Sequence, residues 1–208
     1  MARALELKDV LLHEVNHRVK NSLQIVTSLL ALQERGGDAA LAANLREARS
    51  RVETVARVHE RLYATSAHDK VEVVSYLRDL VEEVMSAVAD DDRVRLAFES
   101  DGNELHLGVE HSVPLALIVT ELVLNARKYA FPDGRQGCVT IRTKCRDQNF
   151  VLEVEDDGVG FAPSKPGKAT GLGMRIVGAL SAQLHADTAH LPTKQGTRFQ
   201  LVMTLEDC

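Results

Sequence analysis

Residues Glu121–Phe131 read ELVLNARKYAF. Glu121, Asn125, Lys128 and Tyr129 fall at i, i+4, i+7 and i+8, which is one face of a helix. The run they close, SVPLALIVTELVLNARKYAF, is otherwise strongly apolar and ends at Pro132-Asp133-Gly134. An acid, an amide and an amine on such a face need partners. Magnesium accepts oxygen ligands such as an Asn carbonyl together with phosphate oxygens. Lysine is a point charge for phosphate, and tyrosine a ring to pack against a base. The plain alternative is the edge of a surface helix with capping polar groups.

EDDGVGF (Glu155–Phe161) follows an alternating, strand-like run, so Asp156, Gly158 and Gly160 sit at a strand exit. Glycines there let a ligand approach the backbone, and a carboxylate accepts a hydrogen bond from an exocyclic amine such as that of adenine. Further on, Gly171-Leu172-Gly173 opens a helix, and a Gly-rich loop entering a helix N-terminus suits an anion. Gly196-Thr197 begins the last strand, where Thr197 is placed to complete the adenine end. There is no G-x-x-x-x-G-K-[ST] motif, which disfavours a P-loop fold. VEVVSYLRDLVEEVMSAV reads as an amphipathic helix, RVRLAFES and ELHLGV as short strands, and CVTIRTKCRD and FVLEVEDD as longer ones. These elements predict a mixed sheet with helices on one face, an α/β sandwich, beginning near residues 66–71.

The first ~65 residues are nearly free of Gly and Pro and break only at Gly36-Gly37-Asp38. They predict a helical hairpin, Leu5 to Arg35 and Asp38 to Thr65. Leu12, Val15, Val19, Val26 and Leu29 recur at coiled-coil spacing, widened by Leu23 and Leu30. Two helices cover such a stripe poorly, so dimerisation into a four-helix bundle is expected. The same helix contains His13-Glu14-Val15-Asn16-His17, an H-E-x-x-H signature. His13 and His17 can chelate zinc with Glu14 activating water, the metalloprotease reading. Against it, no downstream segment offers a third ligand, and the downstream motifs stay unexplained. His17 lies about 200° around from Val15 and Val19, so it points away from the seam. It shares a polar stripe with His13, Lys20, Asn21, Gln24 and Ser28, as an imidazole exposed for phosphoryl transfer must.

Together, E-L-x-x-N-A-x-K-Y, D-x-G-x-G, G-L-G-M and G-T, in that order, resemble the N, G1, G2 and G3 boxes of the GHKL ATPase superfamily. H-R-x-K-N-x-L-Q at His17–Gln24 resembles the phosphoacceptor helix of sensor histidine kinases, in the Trp-less sister of the HWE group. The resemblance implies a hairpin over residues 1–68 for dimerisation and phosphotransfer. It implies a Bergerat-type ATP-binding sandwich over 69–208, with a short lid at Ala162–Thr170. It further implies ATP and Mg²⁺ as cofactors, His17 as phosphoacceptor, and a response regulator receiver domain as partner. Asn125 is then expected to hold Mg²⁺, Lys128 a phosphate, and Tyr129, Asp156 and Thr197 the adenine. Gly158, Gly160, Gly171 and Gly173 are expected to shape the pocket. Arg18 and Lys20 are placed to steady the phosphoryl charge, and either Glu14 or Glu121 to act as base. The alternatives are a histidine phosphotransfer protein with a dead nucleotide pocket, and an ATP-hydrolysing relative that uses Glu121 as base without need of His17.

The bulk properties agree. The 208 residues carry a formal net charge of −5, so nucleic acid is not an expected partner. The three cysteines show no C-x-x-C spacing, which favours reduced thiols and a cytoplasmic setting. No apolar run is read as approaching the ~20 residues of a membrane span, and no signal-peptide pattern opens the chain. A sensor domain preceding it in a longer parent chain is compatible with all of this.

Overall fold

The computed structural model describes residues 2–36, 38–65, 70–87, 93–146, 148–160 and 171–205, with side chains excepted at 2–13, 15–17, 39–40, 47, 61–65 and 87. The chain divides into two compact units, Met1–Asp69 and Lys70–Cys208.

In the first unit, α1 (Ala2–Glu34) and α2 (Ala39–Thr65) pair as a hairpin. Gly36 closes the turn by donating its N–H to the Gln33 carbonyl at 3.2 Å. Asp38 then caps α2: its Oδ1 accepts the Leu41 N–H at 2.8 Å, an acceptor for a donor the first turn cannot satisfy. Glu34 on α1 binds Arg46 at 2.8 Å and Arg49 at 3.5 Å on α2. Lys20 pairs with Glu60 across the hairpin.

The expected single apolar stripe is corrected to two. Val19, Leu23 and Leu30 are half-buried. Val26 and Leu29, assigned to the same seam, are exposed, as are Ile25 and Leu32. The reason is angular: Leu29 lies about 240° on from Leu23 at 100° per residue, so one partner helix cannot cover both. Leu12 and Val15, also placed in that seam, have side chains outside the described set.

The second unit opens with β1 (Lys70–Glu72) and α3 (Val73–Ala87), then β2 (Val94–Ser100), β3 (His106–Gly108) and α4 (Val109–Tyr129). After a 3-10 turn at Pro132–Gly134 come β4 (Gly137–Arg146), β5 (Asn149–Asp156), α5 (Leu172–Gln183), β6 (Asp187–Leu191) and β7 (Thr197–Thr204). The main sheet has the order β2-β4-β5-β7-β6. Its β2–β4 pair is parallel and the others antiparallel. β1 and β3 form a small antiparallel sheet apart from it.

Two boundaries differ from expectation. The run read wholly as a helix from Val71 begins as β1. Glu72 then stops the strand and starts α3, accepting the N–H groups of Val74 at 3.1 Å and Ser75 at 2.7 Å. β3 ends at Gly108, and Val109, read as strand, is already the first residue of α4.

α4 is the central helix, packed on β5 and against both α3 and α5. Leu77, Leu80, Leu115, Ile118, Ile141, Phe150, Leu152 and Leu201 are fully buried. β4, β5 and β7 bury alternate residues, so one sheet face carries the core and the other is polar. On the polar face Arg142 joins Glu99 at 2.8 Å and also binds Glu155, and Arg198 joins Glu155 at 2.8 Å. Burial pushes the Glu155 carboxyl up, but the hydrogen bonds from Arg198 and Arg142 outweigh it and hold it below the ordinary range. Cys138 and Cys145 are half-buried on β4 and not joined in a disulfide; they stand seven apart and so on opposite faces.

The expectation of no membrane-length apolar run needs one correction. Among the described residues α4 is long and apolar enough to span a bilayer, yet 56% of that window is buried inside this fold.

Candidate functional site

Asp156 ends β5 and is only 4% exposed. Its Oδ1 accepts the Gly158 N–H at 2.9 Å, and its Oδ2 accepts the Thr197 hydroxyl from the neighbouring strand. The ladder dictates the second contact, since Asp156 and Thr197 are cross-strand partners. A carboxylate has about four acceptor sites, so two held contacts fix its orientation and leave capacity for a ligand amine.

The glycines make room around it. Gly196 has φ +78°, and a Cβ there would lie 1.8 Å from the Asp156 carbonyl oxygen. Only glycine lets the β6–β7 turn come so close. A Cβ on Gly158 would lie 2.4 Å from Ala130, just past α4. That contact and the Val159 N–H to Ala130 carbonyl bond of 2.9 Å dock the glycine turn on the end of α4. Gly160 faces the Gly196 carbonyl across this turn, a Cβ there meeting it at 3.2 Å.

α4 presents Glu121, which is buried, and Asn125, half-buried one turn later. The Asn125 amide approaches the Met174 sulfur at 3.9 Å, which brings the start of α5 to this helix. Gly171 caps α5 with open space where a side chain would stand, and Gly173 is buried in its first turn. Lys128 and Tyr129 meet on the exposed last turn, the ammonium 5.0 Å from the ring centroid. The tyrosine is 61% exposed.

Two of the four stretches picked from the sequence therefore converge directly: Asp156 with Gly158 and Gly160, and Gly196-Thr197. The other two, Asn125 on α4 and Gly173-Met174 on α5, meet each other and adjoin the first pair through the docked end of α4. Sequence reading missed Ala130, which ties the turn to the end of α4, and Asp157 and Arg135, which tie it to β4 and to the connection between α4 and β4. The expected lid, Ala162–Thr170, lies outside the described residues.

In the other unit, Glu14 and Arg18 form an exposed ion pair at 2.8 Å, one helical turn apart. The intervening His17 belongs to α1 by its backbone, while its side chain and that of His13 lie outside the described set. Among the described residues no cluster of three or more His, Cys, Asp or Glu is arranged to hold a metal ion.

Comparison with known proteins agrees with both halves. A family profile described as "Histidine kinase" matches residues 14–88. A second, described as "Histidine kinase-, DNA gyrase B-, and HSP90-like ATPase", matches residues 110–207. The chain belongs to the histidine kinase family, with a helical segment of that type followed by an ATPase domain of that type. It is 37% identical over 190 residues to the sensor histidine kinase PdtaS of Mycobacterium tuberculosis, which takes in 88% of this chain and 36% of that one. It is 29% identical over 190 residues to blue-light-activated histidine kinase 2 of Erythrobacter litoralis, covering 89% of this chain and 54% of the relative. The chain thus spans about a third to a half of the relatives it matches. In three dimensions it resembles the histidine kinase domain of a blue-light activated histidine kinase from Erythrobacter litoralis, with TM-score 0.65, 25% identity, and coverage of 95% of this chain and 94% of that one.

Proposed function

We propose that this chain is a sensor histidine kinase core that phosphorylates itself on His17 from Mg-ATP and passes the phosphoryl group to an aspartate of a response regulator receiver domain. Residues 1–68 serve as the dimerisation and phosphotransfer domain and 69–208 as the nucleotide-binding domain, acting in the cytoplasm where ATP is abundant.

The observation that supports this most is the state of Asp156. A nearly fully buried carboxylate, oriented by Gly158 and Thr197 at the mouth of a glycine turn, fits an adenine amine. Thr197, bonded to Asp156, would contact the same edge. Tyr129 is available to pack on the base and Lys128 to meet a phosphate. Gly160, Gly171 and Gly173 supply backbone that the polyphosphate can approach. The Asn125 side-chain carbonyl oxygen would hold the metal. Magnesium, when bound there, neutralises phosphate charge.

His17 attacks with a neutral ring nitrogen. An N–P bond forms as the bond from the γ-phosphorus to the ADP oxygen breaks, and the ring proton leaves to a carboxylate, Glu14 or Glu121. Arg18, ion-paired with the exposed Glu14, would meet the incoming phosphoryl charge. The exposed Ile25, Val26, Leu29 and Leu32 of α1, with Leu41 of α2, supply the apolar face for a second copy, and pairing two hairpins yields a four-helix bundle.

The test is incubation with γ-labelled ATP and Mg²⁺. Wild type should take acid-labile label, and Asn125→Ala should lose it by at least about a hundredfold, as loss of a preorganised charge-stabilising group does. ATP that neither binds nor labels the wild type would sink this reading and leave the phosphotransfer role.

A further inference from the structure

Asp157, beside the adenine-facing Asp156, is held by bonds that a turn residue does not need. It stands opposite Cys138, one step beyond the Val139–Asp156 pair that ends the β4–β5 register. A hydrogen-bonded antiparallel pair exchanges both N–H groups for both carbonyls. Here the Asp157 N–H reaches the Cys138 carbonyl at 3.2 Å, but the Cys138 N–H goes to Asp157 Oδ1 at 2.7 Å instead of to its carbonyl. The side chain has taken the carbonyl's place. The carbonyl so released accepts Arg135 Nη2 at 2.9 Å.

Arg135 lies in the short connection that leaves α4 and enters β4. Val159 is bonded to the beginning of that connection through the Ala130 carbonyl at 2.9 Å. The turn bearing Gly158 is thus fastened to residues 130, 135 and 138, along the whole segment between α4 and β4. Because α4 carries Asn125 and Lys128 while the turn follows Asp156, these ties set the adenine end of the site against its phosphate end.

We propose that Asp157 is a positioning residue for the nucleotide, with Arg135 as its second anchor. The inference rests on the reading of this pocket as an ATP site. Asp157 meets no ligand itself; it ends the ladder with its own carboxylate so that the turn can swing to α4 and still be pinned. Disturbing it should misplace Asp156 in the free protein, which weakens capture of ATP without slowing transfer once ATP is bound.

The experiment is autophosphorylation rate against ATP concentration for wild type, Asp157→Ala, Asp157→Asn and Arg135→Met in the full chain. Asp157→Ala should raise KM for ATP about tenfold with kcat within about twofold, the size expected for losing one charge-assisted hydrogen bond. Asp157→Asn keeps an Oδ1 acceptor and should restore KM to within about twofold of wild type. Arg135→Met removes only the carbonyl tie and should raise KM about threefold, which keeps the test available should Asp157→Ala not fold. An unchanged KM in Asp157→Ala or Arg135→Met, a fall in kcat in place of the rise in KM, or no rescue by Asp157→Asn overturns the proposal. If wild type takes no label, the kinase reading itself has failed. Hydrogen exchange at the Cys138 amide then decides alone: faster in Asp157→Ala than in Asp157→Asn supports the positioning role, and equal rates refute it.

Discussion

Phe150 in the sandwich is fully buried, whereas Leu32 in the hairpin is 67% exposed. The two units solve the same problem differently. The sandwich has a sheet face and three helices, so α4 meets apolar groups on almost every side and closes a core within one copy. The hairpin has two helices. α1 carries apolar side chains on two faces, and α2 takes only the one with Val19, Leu23 and Leu30. A scaffold that must keep a nucleotide site in shape is self-contained. The open face of the hairpin is the one that the proposed dimer would cover.

The largest effect that separates the two units comes from truncating one residue in each. Phe150→Ala should cost about 3–5 kcal/mol of sandwich stability, read by urea unfolding. Leu32→Ala in the isolated copy should stay within about 0.5 kcal/mol, as for an exposed position. Similar losses would show that the hairpin face is already covered.

Next in size, Leu29→Glu should shift the chain from dimer to monomer in sedimentation velocity, weakening association by a hundredfold or more because a charge is forced into an apolar seam. The unfolding midpoint of the sandwich should not move. Dimers that survive this change would place the interface elsewhere.

The smallest expected effect lies on the polar sheet face and depends on pH. Arg198 and Arg142 hold the Glu155 carboxyl below its usual range against the upward push of burial. The folded form therefore takes up that proton less readily than the unfolded chain. The stabilisation is fully present above the unfolded pKa of about 4.3 and is lost as pH falls through the lowered folded value. Glu155→Gln should cost about 1–2 kcal/mol at pH 7, and the difference from wild type should shrink in acid. A difference that grows in acid would contradict the ion-pair account.

Much of this was legible in the sequence because it depends on local rules. Gly36-Gly37-Asp38 breaks an otherwise uninterrupted helical run, and Asp38 is the cap. Glycine spacing located the turn around Asp156, and strand alternation placed Asp156 and Thr197 at sheet ends, where the ladder then made them neighbours. What escaped depends on three-dimensional substitution. β1 is three residues long and merges with the helix that Glu72 caps, too short for periodicity to register. The second stripe of α1 was folded into the first because Val26 and Leu29 fit coiled-coil spacing equally well. Asp157 reads as the filler of a D-x-G-x-G pattern, and only the register across β4 shows its side chain doing a carbonyl's work.

In the proposed reaction the hairpin supplies the phosphoacceptor and the sandwich the nucleotide. This division is tested most directly by mapping the acid-labile phosphate after reaction with Mg-ATP in wild type, His13→Ala and His17→Ala. Phosphorus is expected on the His17 imidazole, retained in His13→Ala and absent from His17→Ala, with ATP affinity unchanged in both variants. Label that persists in His17→Ala, or that vanishes with His13→Ala, would contradict it.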